Sequence, residues 1–359
     1  MQVDNNGSRF TGERRAFVEA FLNNPTGAGD RAGLSLIQTY KPKNSLYYAL
    51  SYERPIFPGT TINAGFAKQG FDVGAEQEAF DISGESGTAQ VFIRHSALRS
   101  RFQNLHGDFG LYKANSSVRR GALETSKDQL AWLGLGLDYD RIDTRWKGID
   151  VASLGARYGL GVHFGGMDSE LIRARTVRPS RQASNGTGRF ASNDFWVIEG
   201  SYTRLQNIED DMDILLRVQG QWSNSLLTST NQFKLGGPDS VRAYPTSEFL
   251  RDTGVFASLE WFWKAPGFAD QDAFSNYKWG DLLKVSFFAD YGTGTLNQTR
   301  TNPAQNVFQN IDIGGYGAAL HFEVPGQLLA RLQAAHPLSG IAPSDGRTTH
   351  WWFDVRYNF

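Results

Sequence analysis

A period of two in hydrophobicity runs through this chain from end to end, in windows of roughly ten residues. In 255–264, Val255, Ala257, Leu259, Trp261 and Trp263 share one face, while Ser258, Glu260 and Lys264 share the other. In 283–291, Leu283, Val285, Phe287, Ala289 and Tyr291 oppose Lys284, Ser286, Phe288 and Asp290. Ile214, Leu216, Val218 and Trp222 oppose Arg217, Gln219 and Gln221; Tyr316, Ala318, Leu320, Phe322 and Val324 oppose Gly315, Gly317, His321 and Glu323. The last residues repeat the pattern: Trp351, Phe353, Val355, Tyr357 and Phe359 on one face, Trp352, Asp354, Arg356 and Asn358 on the other.

Further strands are expected at 31–40, 46–55, 60–72, 87–97, 104–117, 129–141, 150–163, 194–206 and 327–337. An imperfect one at 14–22 has Phe17 and Phe21 on its polar side. A soluble sandwich buries the apolar faces of two sheets against each other and seldom carries charge on the reverse of nearly every strand. Amphipathic strands of this length, ending on an aromatic terminal strand, are the signature of a transmembrane antiparallel β-barrel, all-β, with lipid outside and a polar lumen. The count is about sixteen, an even number that returns both termini to one side.

Composition fits. Aromatic residues make up 13% of 359 residues and there are 39 glycines, both favouring β structure. No run of 18 uncharged apolar residues exists, so no transmembrane helix is expected. The net charge of -1 sets up no global field for nucleic acid. The absence of cysteine suits an oxidising compartment. No signal peptide opens the chain, and Met1 directly ahead of a strand-like segment is expected to be a truncated start.

Connections alternate in length, short at 24–30, 57–59, 144–148, 209–211 and 325–326, long at 165–193, 223–253, 296–310 and 340–349. Barrels of this type keep short turns on the periplasmic side. The segment 266–281, rich in Asp and aromatics, falls on the short-turn side as an insertion. With no repeat or low-complexity linker, 1–359 is read as one barrel domain.

The strongest motif lies in the longest loop: Phe233, Lys234, Leu235, Gly236, Gly237, Pro238, Asp239, Ser240, Val241, Arg242, Ala243, Tyr244. Paired glycines and a proline specify a sharp reversal, because Gly admits positive φ and Pro fixes φ. Read locally, this is a surface turn with one solvated arginine. The stretch also resembles the Leu-Gly-Gly-x-x-Ser-Val-Arg-Gly-Tyr loop of TpsB transporters, the outer-membrane partners in two-partner secretion and relatives of the barrel-assembly protein BamA. The likeness covers essentially the whole chain. Residues 4–12 and 24–30 resemble the family's opening strands and first turn, Phe288-Ala289-Asp290-Tyr291-Gly292 its Phe-x-Asp-x-Gly strand, and 334–338 and the closing Phe359 also fit. Ala243 stands where the family usually has glycine, which is expected to leave the loop tip less free.

This resemblance implies a long loop folded into the lumen, with its arginine, Arg242, contacting a wall aspartate, Asp290. Alternation independently puts Asp290 on the lumenal face. A guanidinium matches a carboxylate bidentately, fixing geometry as well as charge. Lumenal Arg217, Gln219, Gln221, Glu260, Lys284, Asp354 and Arg356 are read as solvated wall residues that keep a pore wet. The family further implies a secreted, TpsA-like exoprotein as cargo, and a plug helix and POTRA domains upstream of this barrel. Lipid and lipopolysaccharide are expected around a monomeric barrel, and no nucleic acid, cofactor or metal. Arg173, Arg175, Arg178, Arg181 and Arg189 are read as an outward loop, solvated or touching lipopolysaccharide phosphates. No G-x-S-x-G, phosphate loop or H-E-x-x-H occurs. The carboxylate pairs Asp138/Asp140 and Asp210/Asp211 have no histidine placed with them, so no enzyme is expected. A BamA-like insertase and a passive diffusion porin remain as alternatives; the porin leaves the arginine loop unexplained.

Overall fold

Sixteen strands close into one antiparallel barrel in the computed structural model, which describes every residue except 41, 168–176, 185–186, 303–307, 339 and 359. Phe359 and the Arg173 and Arg175 positions therefore lie outside the described residues. The first half of the wall comprises β1 (Gln2–Asp4), β2 (Arg15–Asn23), β3 (Arg31–Thr39), β4 (Ser45–Phe57), β5 (Thr60–Asp72), β6 (Ile82–Arg99), β7 (Gln103–Arg120) and β8 (Leu123–Asp143). The wall continues with β9 (Gly148–Gly159), β10 (Trp196–Glu209) and β11 (Met212–Trp222). A short hairpin, β12 (Phe233–Leu235) with β13 (Phe249–Arg251), stands apart from the wall inside the 223–252 connection. The barrel resumes with β14 (Thr253–Lys264), β15 (Leu283–Thr295), β16 (Asn310–Val324), β17 (Leu328–Pro337) and β18 (His350–Tyr357). Each wall strand pairs with its neighbours in the barrel order, and β1 closes on β18 through Gln2↔Arg356, Val3↔Val355 and Asp4↔Asp354.

Side-chain exposure follows the alternation. Leu135 (60%), Leu259 (53%), Tyr291 (50%) and Trp351 (59%) project outward, and their inward neighbours are buried or polar. An apolar belt of that extent cannot be solvated in water, and it matches the lipid-facing band of a membrane barrel. Phe21 is a lumenal exception, with the Arg31 guanidinium stacked 3.8 Å over its ring and Gly33 of the neighbouring strand beside it.

The boundaries differ from the expectation most at β6–β8. Strands expected at 104–117 and 129–141 run to Arg120 and start at Leu123, joined by a two-residue turn with Gly121 at φ 57°. These hairpins continue past the lipid, where nothing imposes an apolar face, so the pattern fades while the ladder persists. The 266–281 insertion is ordered, with a single helical turn at Trp279–Leu282 whose Trp279 ring meets Phe268 edge-on at 5.9 Å.

Candidate functional site

The connection from β11 to β14 turns back onto the inward-facing side chains of β14–β18. Gly236 and Gly237 have φ of 100° and 103°, a region closed to side chains, and build the reversal. Leu235, Val241, Ala243 and Tyr244, all fully buried, then pack on Phe256, Phe288, Ile311, Ile313, Ala319 and Ala335 of the wall. The inner wall is apolar here, unlike the wet wall expected from sequence, because the loop covers it and excludes water. Gly292 permits the approach: a Cβ there would lie 2.8 Å from Leu235 and 2.9 Å from Val241. Ser240 is buried, and its hydroxyl has no hydrogen-bond partner among the described residues.

Arg242, 1% exposed, is the centre of the contact. Its Nε and Nη2 donate to the two oxygens of Asp290 at 2.8 Å each, and its backbone N–H donates to Asp290 Oδ2 at 3.0 Å. Nη1 donates to Glu260 Oε2 at 2.7 Å and Nη2 to Ser258 Oγ at 3.0 Å. The guanidinium carbon lies 3.3 Å from the centroid of the Phe288 ring, and Trp352 Nε1 donates to the Arg242 carbonyl at 2.7 Å. Register explains the convergence: Ser258 pairs with Asp290, and Glu260 with Phe288, across β14 and β15. Burial alone would weaken the charge on Arg242; Asp290 and then Glu260 outweigh it and hold the guanidinium protonated above the ordinary arginine range.

Two expectations change at this point. Glu260 is 4% exposed, not a solvated wall residue; beyond Arg242 it accepts from Ser286 Oγ at 2.6 Å, with His321 Nε2 3.6 Å away. Alternation gave its inward direction but not the loop that would cover it. Trp352, placed on the polar face by period, reaches inward as a donor. Ala243 is not in the left-handed region. Its methyl instead sits over Gly315, where a Cβ would come within 2.4 Å of it, so the tip needs no glycine freedom. Of the remaining lumenal positions, Asp354 pairs with Arg331 at 2.7 Å, Gln221 is buried against 231 and 252, and Arg356 is exposed beside Gln2.

A second ionic contact was not foreseen. Arg181, expected in an outward loop, donates to both oxygens of Asp252 at 2.5 and 3.1 Å. Asp252 is fully buried and also accepts from Leu227 N, Gln232 Nε2 and Asn297 N. It thus ties together the connections at 160–195, 223–252 and 296–309. Arg178 stacks over Phe190 at 5.5 Å, and its carbonyl accepts from Lys127 N. The carboxylate pairs resolve as wall and turn chemistry: Asp138 pairs with Arg94, Asp140 accepts from Asn104, and Asp211 accepts from Trp263 Nε1. Among the described residues no group of three His, Asp or Glu side chains could hold a metal ion.

Residues 1–320 match the model of the haemolysin secretion/activation protein family ShlB/FhaC/HecB. The chain belongs to that family. It is 21% identical over 356 residues to the heme/hemopexin transporter protein HuxB of Haemophilus influenzae, matching 98% of this chain and 58% of the relative. The chain therefore spans about three fifths of the length of that relative. In fold it is similar to CdiB from Escherichia coli, with a TM-score of 0.76 at 18% identity over 99% of this chain and 61% of the other. BamA from Haemophilus ducreyi lacking POTRA domains 1–3 gives a TM-score of 0.67 at 13% identity, covering 99% and 68%. This ShlB/FhaC/HecB barrel is an outer-membrane protein, and its arginine loop and Asp290 lie in one contact.

Proposed function

We propose that this barrel is the outer-membrane pore through which a large, TpsA-like exoprotein partner is secreted, with 1–359 acting as one transporter domain. The family match over residues 1–320 carries the reading. Arg242, with Asp290, Glu260 and Phe288, anchors the loop against β14 and β15, and Gly236, Gly237 and Gly292 let it fold there. The loop so held narrows the lumen at rest and keeps the empty pore from leaking. The barrel works as a monomer in lipid and lipopolysaccharide, and performs no catalysis: transport along a lumen needs shape, wetting and a movable obstruction rather than bond chemistry.

Deleting the gene and comparing the proteins released by the cells tests this. The expected outcome is loss of one very large released polypeptide, restored by the wild-type gene. A general fall in unrelated outer-membrane barrels would support the BamA-like insertase instead. Unchanged secretion with slower uptake of small solutes would support a porin.

A further inference from the structure

At the outer end of the barrel, β13 of the loop hairpin borders a cavity of about 890 Å³, shared with residues from the connections that follow β1, β15 and β17. Its walls are largely apolar: Phe10, Phe249, Leu250, Leu296, Phe308 and Ile341 are each half-buried against it. One charge is set deep in this lining. Arg251 is 6% exposed and shares a face of β13 with Phe249, whose ring centroid lies 5.5 Å from the guanidinium carbon. Gly294 of β15 makes room for the arginine stem, since a Cβ there would come within 2.7 Å of Arg251 Cγ. A guanidinium carries five N–H donors. Nη1 donates to the Leu250 carbonyl at 2.8 Å and Nη2 to the Phe308 carbonyl at 3.3 Å. Nε has no partner, and among the described residues no carboxylate pairs with Arg251. Asp252, next in the chain, is held by Arg181. Arg9, in the same lining, also has an Nε without a partner. Glu248 is the acid of the lining, and its two oxygens accept from Ser344 N and Oγ at 2.8 and 2.9 Å. Burial, with Arg181 alongside, holds the Arg251 guanidinium below the ordinary arginine range.

We propose that this cavity binds a small organic carboxylate, with the carboxylate on Arg251 and an aromatic or alkyl body against the phenylalanines. The inference is independent of what crosses the lumen. Small-molecule sites are concave, about 300–1,000 Å³, mostly apolar, and carry a few polar groups that fix orientation. An arginine buried with donors to spare is costly by itself, and a carboxylate matches its planar fork. Glu248 in the same lining repels a second negative charge, so the site favours a monoanion over a phosphate dianion. The apolar walls favour a ligand with a hydrocarbon body over a bare inorganic anion. A ligand seated there touches the loop hairpin and three connections at once, and so braces the outer end of the loop.

The test is a fluorine NMR titration of 3-(4-fluorophenyl)propionate against the whole chain in detergent micelles, with empty micelles subtracted. Wild type should broaden the ligand signal saturably, and the matching amine, 3-(4-fluorophenyl)propylamine, should show no saturable binding. Arg251→Gln removes the charge and should weaken binding about tenfold or more. Arg251→Lys keeps the charge without the fork and should weaken it less. Ala342→Trp, at an exposed position of the lining, should block the cavity and abolish binding; it decides the matter if Arg251→Gln fails to fold, as read from heat-modifiable migration. Equal affinity in wild type and Ala342→Trp, or in wild type and a folded Arg251→Gln, would overturn the site. So would amine binding as tight as the carboxylate, or no saturable binding to wild type. Inorganic phosphate that displaces the probe at equal concentration would overturn the assignment to an organic carboxylate.

Discussion

Replacing Arg242 by alanine should do more harm than replacing Asp290, because one guanidinium serves two buried carboxylates. Removing it leaves Asp290 and Glu260, 3% and 4% exposed, facing the same hollow without the cation that pairs with both. Breaking a buried pair by deleting one partner costs about 3–5 kcal/mol. At about 1.4 kcal/mol per decade, docking of the loop would weaken by roughly two to three and a half orders of magnitude. In Asp290→Ala the arginine keeps Glu260 at 2.7 Å and Ser258 at 3.0 Å, so the loss should be about 2 kcal/mol. The double variant Arg242→Ala/Asp290→Ala should then be milder than Arg242→Ala alone, since only Glu260 remains and Ser286 still donates to it. Such non-additivity is expected of groups sharing one network. The assay is maleimide labelling of the reporter substitution Ser240→Cys, buried in the docked loop, together with conductance in planar bilayers. Labelling rates should rank Arg242→Ala first, the double variant next and Asp290→Ala last, with heat-modifiable barrel folding unchanged in all. A double variant that labels faster than Arg242→Ala would refute the reasoning, as would a reporter thiol that labels equally in every background.

Arg181→Ala leaves buried Asp252 with only neutral donors and should open the 160–195 and 296–309 connections, read as faster proteolysis of intact cells within those segments. Gly315→Ala should push the Ala243 methyl off the wall and raise labelling of the Ser240→Cys reporter about tenfold or more, and adding Ala243→Gly should restore protection by vacating that space. The purified chain should need detergent, show β-rich circular dichroism, and migrate faster on gels before boiling than after.

Alternation alone located nearly every barrel strand, because each position between two lipid-facing residues has only the lumen to face. It failed where lipid stops acting: at 118–128 both faces are polar, and the long β6–β8 hairpins did not register. β1, three paired residues too few to carry a period, was legible as a strand-like segment after Met1 and through resemblance. Within the site, parity pointed Asp290 and Glu260 inward, and the motif supplied Arg242. Parity could not say that one arginine would take both acids, because that depends on how deeply the loop descends and on Ser258 lying directly across from Asp290. Arg181 and Asp252, 71 positions apart, share no local pattern, and a solvated arginine cluster has the same composition as one that clasps.

Both ionic contacts hang from one strand. Asp252 immediately precedes β14, and Ser258 and Glu260 lie on it at the same parity, about 20 and 27 Å further along at strand rise. Slipping β14 by one residue against β11 or β15 would turn all three toward lipid at once. The outer connections could not then fasten, and the lumenal loop would keep Asp290 on β15 but lose Glu260 and Ser258, so the misassembled barrel would be loosely closed at its centre and ragged at its rim. Registration of a single strand is therefore an assembly checkpoint: closure of the pore reports that the wall was zipped correctly.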